Sequence, residues 1–275
     1  MGNCLGAKAP QEGDNGKENS ESNAFYAIKD QFTTIEQVQE GLRNAGLESS
    51  NLILGIDFTK SNMWTGQRSF GGRSLHDTNG PDMNPYQMVI EIVGRTLEAF
   101  DDDKLIPAFG FGDNFTADKA CFPFYPDRRP CQGFQEVQER YSQVAPGITL
   151  AGPTNFAPII HEAISIVQQE KAYHILVIIA DGQVTNRKET EDAIVKASSH
   201  PLSIIVVGVG DGPWEMMEEF DDQLPARRFD NFQFVPFNQV MSKVPPGMNP
   251  DAAFATAALM EVPEQFKLIR KLRLL

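Results

Sequence analysis

The sequence predicts an α/β domain, a doubly wound, mostly parallel sheet flanked by helices on both faces. Four short apolar runs carry the first part of this expectation: Asn51 to Asp57, Leu105 to Gly112, His174 to Asp181 and Leu202 to Gly210. They are continuous rather than alternating, as strands buried on both faces are. Between them lie segments with helical spacing, and strand–helix repetition implies right-handed crossovers and a parallel sheet. A hydrophobic fraction of 41% in 275 residues is enough for one large core.

Taken in order, residues 1–24 are expected to be a flexible tail. From Ala7 to Asn23 the chain is Gly, Glu, Asn, Ser, Lys and Asp with almost no apolar residue, so it cannot bury enough surface to offset its ordering entropy. Its first residues, Met1-Gly2-Asn3-Cys4-Leu5-Gly6, start like an acylation signal. Gly2 would carry a myristoyl chain and Cys4 a palmitoyl chain, although Gly6 stands where the pattern wants Ser or Thr. One myristoyl chain binds membranes only marginally, and the tail has no polybasic patch, so Cys4 would have to supply the second signal. The alternative is that Gly2 and Cys4 are incidental.

Residues 25–275 read as one domain. Thr34 to Ala45 has helical spacing and ends at Gly46, a suitable C-cap. The first strand ends in Asp57. Helical segments follow at Pro85 to Phe100, Gly133 to Val144, Ala157 to Gln169 and Lys188 to Ser199. Phe232 to Phe237 reads as a last strand and Pro250 to the C-terminus as helix. Ligands of an open α/β sheet bind beyond the carboxyl ends of its strands. Asp57 and Asp181 each end an apolar run, so both are expected on that edge.

Asp57, Thr59 and Ser61 alternate along one short loop, so their oxygens can face one side. Thr154 lies in Gly152-Pro153-Thr154-Asn155-Phe156, a turn that can present a hydroxyl before a helix. Asp181-Gly182 adds a second carboxylate where glycine permits close approach. Carboxylates, hydroxyls and water are hard ligands and suit Mg²⁺, Ca²⁺ or Mn²⁺ rather than zinc. A site with so few direct charges leaves the cation able to accept a partner's carboxylate. The competing reading is helix N-capping by Thr59, Ser61 and Thr154.

Set in this order, Asp57-x-Thr59-x-Ser61, Thr154 and Asp181 resemble the metal-ion-dependent adhesion site of von Willebrand A domains, with Thr59 in place of the first Ser. The text around them is similar to the copine subgroup of those domains, including plant ubiquitin ligases that pair such a domain with a RING finger. The stretches that carry this are Gly55 to Asn62, Ser74-Leu75-His76, Asn84-Pro85-Tyr86, Leu105 to Gly112, Gly152 to Pro158, Ile179 to Thr185 and Ala258 to Pro263. The resemblance runs from about Phe25 to Phe266. It implies a von Willebrand A-like fold and the five residues as metal ligands, direct or through water. The tandem lipid-binding modules of the usual copines and a RING finger are both missing from the chain.

The remaining features exclude more than they assign. A net charge of -13 disfavours nucleic acid and anionic lipid. No uncharged apolar run reaches the roughly 18 residues of a membrane span. Cys4, Cys121 and Cys131 form no Cys-x-x-Cys pair. His161-Glu162 lacks the second histidine of a zinc protease helix, and Gly208-Val209-Gly210-Asp211-Gly212 is not a nucleotide-binding glycine loop. His76, His174 and His200 read as structural. Lys267, Arg270, Lys271 and Arg273 interleave with apolar residues, the pattern of a terminal helix docked on the sheet, or of a membrane- or partner-binding one. The expectation is a non-enzymatic, intracellular adaptor, in the cytoplasm or at the cytoplasmic face of the plasma membrane, with the nucleus open to it. Its partner would be a protein presenting a carboxylate. The rivals are a component of a ubiquitin-protein ligase pathway and a calcium-dependent phospholipid binder.

Overall fold

The computed structural model describes residues 34–275 except 48–49, 98–99, 102, 183 and 225. The expected tail, the start of the domain at residue 25, and the acylation candidates Gly2 and Cys4 lie outside the described residues. The chain opens with α1 (Ile35–Ala45), started by a capping box in which the Gln37 amide donates to Thr34 Oγ1 and the Thr34 amide to Gln37 Oε1. It stops at Gly46, which takes the left-handed conformation (φ 79°).

The main sheet runs β4-β3-β1-β6-β7-β8, built from β1 (Asn51–Asp57), β3 (Ala108–Phe111), β4 (Cys121–Pro123), β6 (His174–Ala180), β7 (Leu202–Gly208) and β8 (Phe232–Pro236). All neighbours are parallel except β3 and β4. From β1 the chain crosses through α2 (Pro85–Leu97) to β3 on one side. It later returns past β1 to β6 on the other, through α3 (Gly133–Val144) and α4 (Ala157–Glu170). The order therefore reverses between β1 and β6. Such a switch point leaves a crevice at the strands' carboxyl ends, because the flanking connections diverge there.

Successive strand residues divide between two cores, which is why the runs are unbroken in hydrophobicity. Leu52, Leu54 and Ile56 face one cluster, with Val89 and Val93 of α2 and Val137 of α3. Ile53 faces the other, with Ile159 and Ile164 of α4 and Ile194 of α5 (Arg187–Ala197). The same alternation holds in β6, where Val177 and Ile179 oppose Leu176 and Ile178.

The structure refines several sequence boundaries. Leu105 to Gly112 is not one strand. Leu105–Ile106 (β2) pairs antiparallel with Cys131–Gln132 (β5) in a separate ribbon, and β3 begins only after Pro107. Proline has no amide to continue a ladder, so the pairing changes partner there. The short edge strand β4 was not expected; three residues ending in proline make a weak strand signal. Two short helices add to the expected ones, α6 (Glu215–Asp222) and α7 (Phe237–Ser242).

The C-terminal segment is two helices, α8 (Pro250–Leu259) and α9 (Val262–Lys271), because Pro263 opens a new first turn. Phe266 and Ile269 of α9 are buried, Phe266 meets Tyr173 edge-on at 5.2 Å, and Arg270 donates to the Ala45 carbonyl of α1. Lys267, Arg270 and Lys271 are exposed, so the basic amphipathic end is a docked helix with its charges in water. No helix among the described residues is long and apolar enough to cross a membrane.

Candidate metal centre

Asp57 is the last residue of β1 and Asp181 the first after β6. The register pairs Ile56 with Ile179, so two adjacent parallel strands deliver their acids to the same end. Both are buried, at 0% and 1% exposure. Asp57 Oδ1 accepts the Thr59 amide at 2.8 Å, which turns the chain sharply after the strand and locks that carboxylate. A 3₁₀ turn over Lys60–Met63 then brings Ser61 back toward the sheet.

The hydroxyls form a chain with a defined direction. Ser61 Oγ donates to Asp181 Oδ1 at 2.9 Å, which uses its one proton. The 3.0 Å contact between Thr59 Oγ1 and Ser61 Oγ is then a bond donated by Thr59. Thr65 Oγ1 donates to Asp181 Oδ2 at 2.6 Å, so both oxygens of Asp181 are engaged. Asp57 Oδ2 is different. It is buried and has no hydrogen-bond partner among the described residues.

Electrostatics make this cluster uncomfortable as it stands. Burial pushes the Asp57 carboxyl well above the usual carboxylate range, and the nearby Asp181 charge pushes it further. Burial raises Asp181 too, against the hydroxyls that donate to it. Two carboxylates in low dielectric disfavour each other's ionisation unless a cation lies between them. An orphaned buried oxygen and an acid pair among hydroxyls fit a hard divalent cation. Among the described residues no group of three His, Cys, Asp or Glu side chains is arranged for a metal, so carboxylates alone would not fill a coordination shell.

Thr154 reaches the same place from another loop. Ala151 pairs with Thr59, and its carbonyl accepts the Lys60 amide at 2.7 Å, stitching the 150–154 segment to the Asp57 loop. The Thr154 carbonyl accepts the amides of Thr185 and Asn186, and its side chain shares a cavity of about 420 Å³ with Ser61 and Gly182. All five sequence candidates therefore meet at the crevice: Asp57, Thr59, Ser61 and Asp181 in one hydrogen-bonded cluster, Thr154 on the wall beside it.

Further residues hold the cluster in place. Thr65 is one; its signal was a hydroxyl four residues beyond Ser61. Gly112 is another, at φ +82°, where a Cβ would lie 2.4 Å from Thr59 Cγ2. Asn62 donates to the carbonyls of Asp57 and Thr59 and accepts the Tyr86 hydroxyl at 2.7 Å. His76, read as structural, does stand behind the site. Burial lowers its pKa to about 3, so the ring is neutral with one proton. Its Nε2 lies 2.8 Å from the Asp57 carbonyl, which can only accept, so the proton sits there and Nδ1 accepts from the Tyr141 hydroxyl. Phe58 and Tyr86 stack on its two faces at 4.5 and 4.0 Å.

A family model described as Copine matches residues 74–275. The E3 ubiquitin-protein ligase RGLG1 of Arabidopsis thaliana is 55% identical over 265 residues, 91% of this chain and 54% of that protein. The E3 ubiquitin-protein ligase RGLG2 of the same plant is 54% identical over 264 residues, 91% of this chain and 56% of that one. Copine family protein 2 of Caenorhabditis elegans is 53% identical over 247 residues, 89% of this chain but 3% of that protein. The chain thus spans about half the length of the two plant relatives. Among solved structures, von Willebrand factor type A from Catenulispora acidiphila superposes with a TM-score of 0.46 at 12% identity, over 78% of this chain and 42% of that one. A likeness of that size carries no weight here.

Proposed function

The chain belongs to the copine family, and from that premise we propose that it is a protein-binding adaptor that grips a partner's carboxylate through a divalent cation. The observation that carries this reading is Asp57 Oδ2, a buried carboxylate oxygen with no hydrogen-bond partner among the described residues, on a side chain beside a second buried carboxylate, Asp181, at the switch point of the sheet. Asp57, Thr59, Ser61, Thr154 and Asp181 would hold Mg²⁺ or Ca²⁺, directly or through water. When bound, the cation supplies a Lewis-acidic coordination position for an oxygen ligand. The chain's own residues orient and neutralise that position. His76 and Asn62 pin the Asp57 backbone, Thr65 and Ser61 aim Asp181, and Gly182, whose Cβ position has nothing within 4 Å, leaves the approach open. The test is capture from cell lysate on immobilised chain. Proteins retained in Mg²⁺ and released by EDTA are expected; identical capture in both buffers would refute the reading.

A second reading is favoured by the plant relatives, whose names make them ubiquitin ligases over a longer chain than this one. On that reading the domain recruits substrates for ubiquitin transfer carried out by a RING protein. Purified chain, with ubiquitin and its activating and conjugating enzymes, is expected to give conjugates only when a RING protein is added. No conjugates in either case would leave the adaptor role alone.

A further inference from the structure

The 420 Å³ cavity at the candidate metal centre is larger than a lone carboxylate requires and falls within the range of clefts that hold a small ligand. Ser61, Thr65, Thr154 and Asp211 are among its polar lining residues, and Trp64 and Pro213 among its apolar ones. Trp64 directly follows the 3₁₀ turn that carries Ser61, and it is 52% exposed, beside Met63 at 51%. The sequence has two tryptophans, and the other, Trp214, packs against Phe234 at 5.3 Å. Phe115, at 90% exposure, is the most exposed of the large apolar side chains on the same edge. Its loop leaves β3 and is held by Asn114 donating to the Thr149 carbonyl, two residues before the Ala151 that pairs with Thr59. An exposed tryptophan in the wall of a polar cleft is a surface that a partner can cover. Charge adds to this at one point, because Lys60 beside Ser61 is exposed, whereas Arg68 on the Trp64 loop is paired with Asp211, which lines the cleft. On a chain with net charge -13, an exposed cation next to Ser61 favours an acidic partner.

We propose that the partner is a protein segment in which the gripped acid is flanked by apolar residues, with Trp64 receiving the neighbour of that acid. The proposal rests on the metal-dependent reading above and adds what that reading leaves open, the chemistry next to the carboxylate. Trp64 provides the flat apolar wall, and the cation site provides the anchor for the acid. A partner with polar neighbours would engage the cation and leave Trp64 in water.

The experiment uses the full chain and three acetylated, amidated pentapeptides, so that no terminal carboxylate competes. One has aspartate between two leucines, one has aspartate between two serines, and one has asparagine between two leucines, each ending in glycine. Binding is followed by the emission of Trp64 in a Trp214→Phe variant and by calorimetry in Mg²⁺ or EDTA. The leucine-flanked aspartate is expected to bind at least about tenfold more tightly than the serine-flanked one, to shift Trp64 emission, and to need Mg²⁺. The asparagine peptide is expected not to bind. Trp64→Ser should erase the tenfold preference while the heat of Mg²⁺ binding alone stays as in the parent. Equal affinity for the two aspartate peptides, or binding of neither while Mg²⁺ still binds, overturns the proposal and leaves the cation reading standing. Absence of Mg²⁺ heat in the parent chain overturns the cation reading itself. Mg²⁺-driven self-association in sedimentation without peptide binding overturns the proposal in favour of a second copy of this chain as the occupant.

Discussion

Asp57→Asn is expected to raise the melting temperature measured in EDTA and to erase the further rise that Mg²⁺ gives the parent. Both parts follow from the same geometry. Without a cation, burial and Asp181 hold the Asp57 carboxyl well above its ordinary range, which means that the ionised pair works against the fold. Asparagine keeps an oxygen for the Thr59 amide, which donates to Asp57 Oδ1 at 2.8 Å in the parent. Its amide can donate where Asp57 Oδ2 has no partner among the described residues. With Mg²⁺ at 100 times its dissociation constant the parent gains about 2.7 kcal/mol, or about 5–10 °C for a domain of this size. The variant should gain less than about 1 °C on that scale. Thermal unfolding of both proteins in EDTA and in Mg²⁺ reads all four values. Equal Mg²⁺ shifts would remove Asp57 from the site, and a variant less stable than the parent in EDTA would make its carboxylate a structural acceptor.

Acid should weaken the fold through His76, and His76→Phe should show it by difference. Burial brings the folded pKa down from 6.5 to about 3. The unfolded chain therefore binds a proton that the folded chain refuses anywhere between those values. Stability from the neutral ring is fully present above pH 6.5 and is lost as pH falls toward 3, at about 1.4 kcal/mol per pH unit. Between pH 7.5 and 5 the parent loses about 2 kcal/mol on this account. Phenylalanine fits between Phe58 and Tyr86 but leaves the Tyr141 hydroxyl and the Asp57 carbonyl one partner short. The variant should then be less stable at pH 7.5 by about 1–3 kcal/mol for each lost bond, and the gap should narrow by about 2 kcal/mol at pH 5. Urea unfolding in EDTA across this range is the measurement. Parallel stability curves for the two proteins would show that His76 takes up its proton in the folded state as readily as in the unfolded one.

Legibility followed the range of the interaction responsible. Helix α1 was readable with its C-cap because its spacing and Gly46 act on near neighbours, whereas the Thr34–Gln37 capping box shows only in the structure. The central strands were readable because burial on both faces demands unbroken apolar runs. Pro107, by contrast, divides an apolar run between two sheets, and only the partner strands show it. The end of α8 was equally hidden, since the apolar pattern continues through Met260 into α9 while Pro263 restarts the backbone.

The candidate site divides the same way. By itself the sequence determined its ingredients, since Asp57-x-Thr59-x-Ser61, Thr154 and Asp181 each stand at a strand end or helix start where local chemistry marks them. It also carried the copine family, because its text is continuous over most of the chain. What only the tertiary structure decided is the state of those ingredients: which carboxylate oxygen lacks a donor among the described residues, that Thr65 holds Asp181, that a neutral His76 braces Asp57, and that Trp64 stands exposed at the cleft. Burial and pairing are properties of groups brought together from over 100 positions apart, such as Ser61 and Asp181. No local pattern encodes them, because the reversal of strand order between β1 and β6 creates the crevice in which they arise.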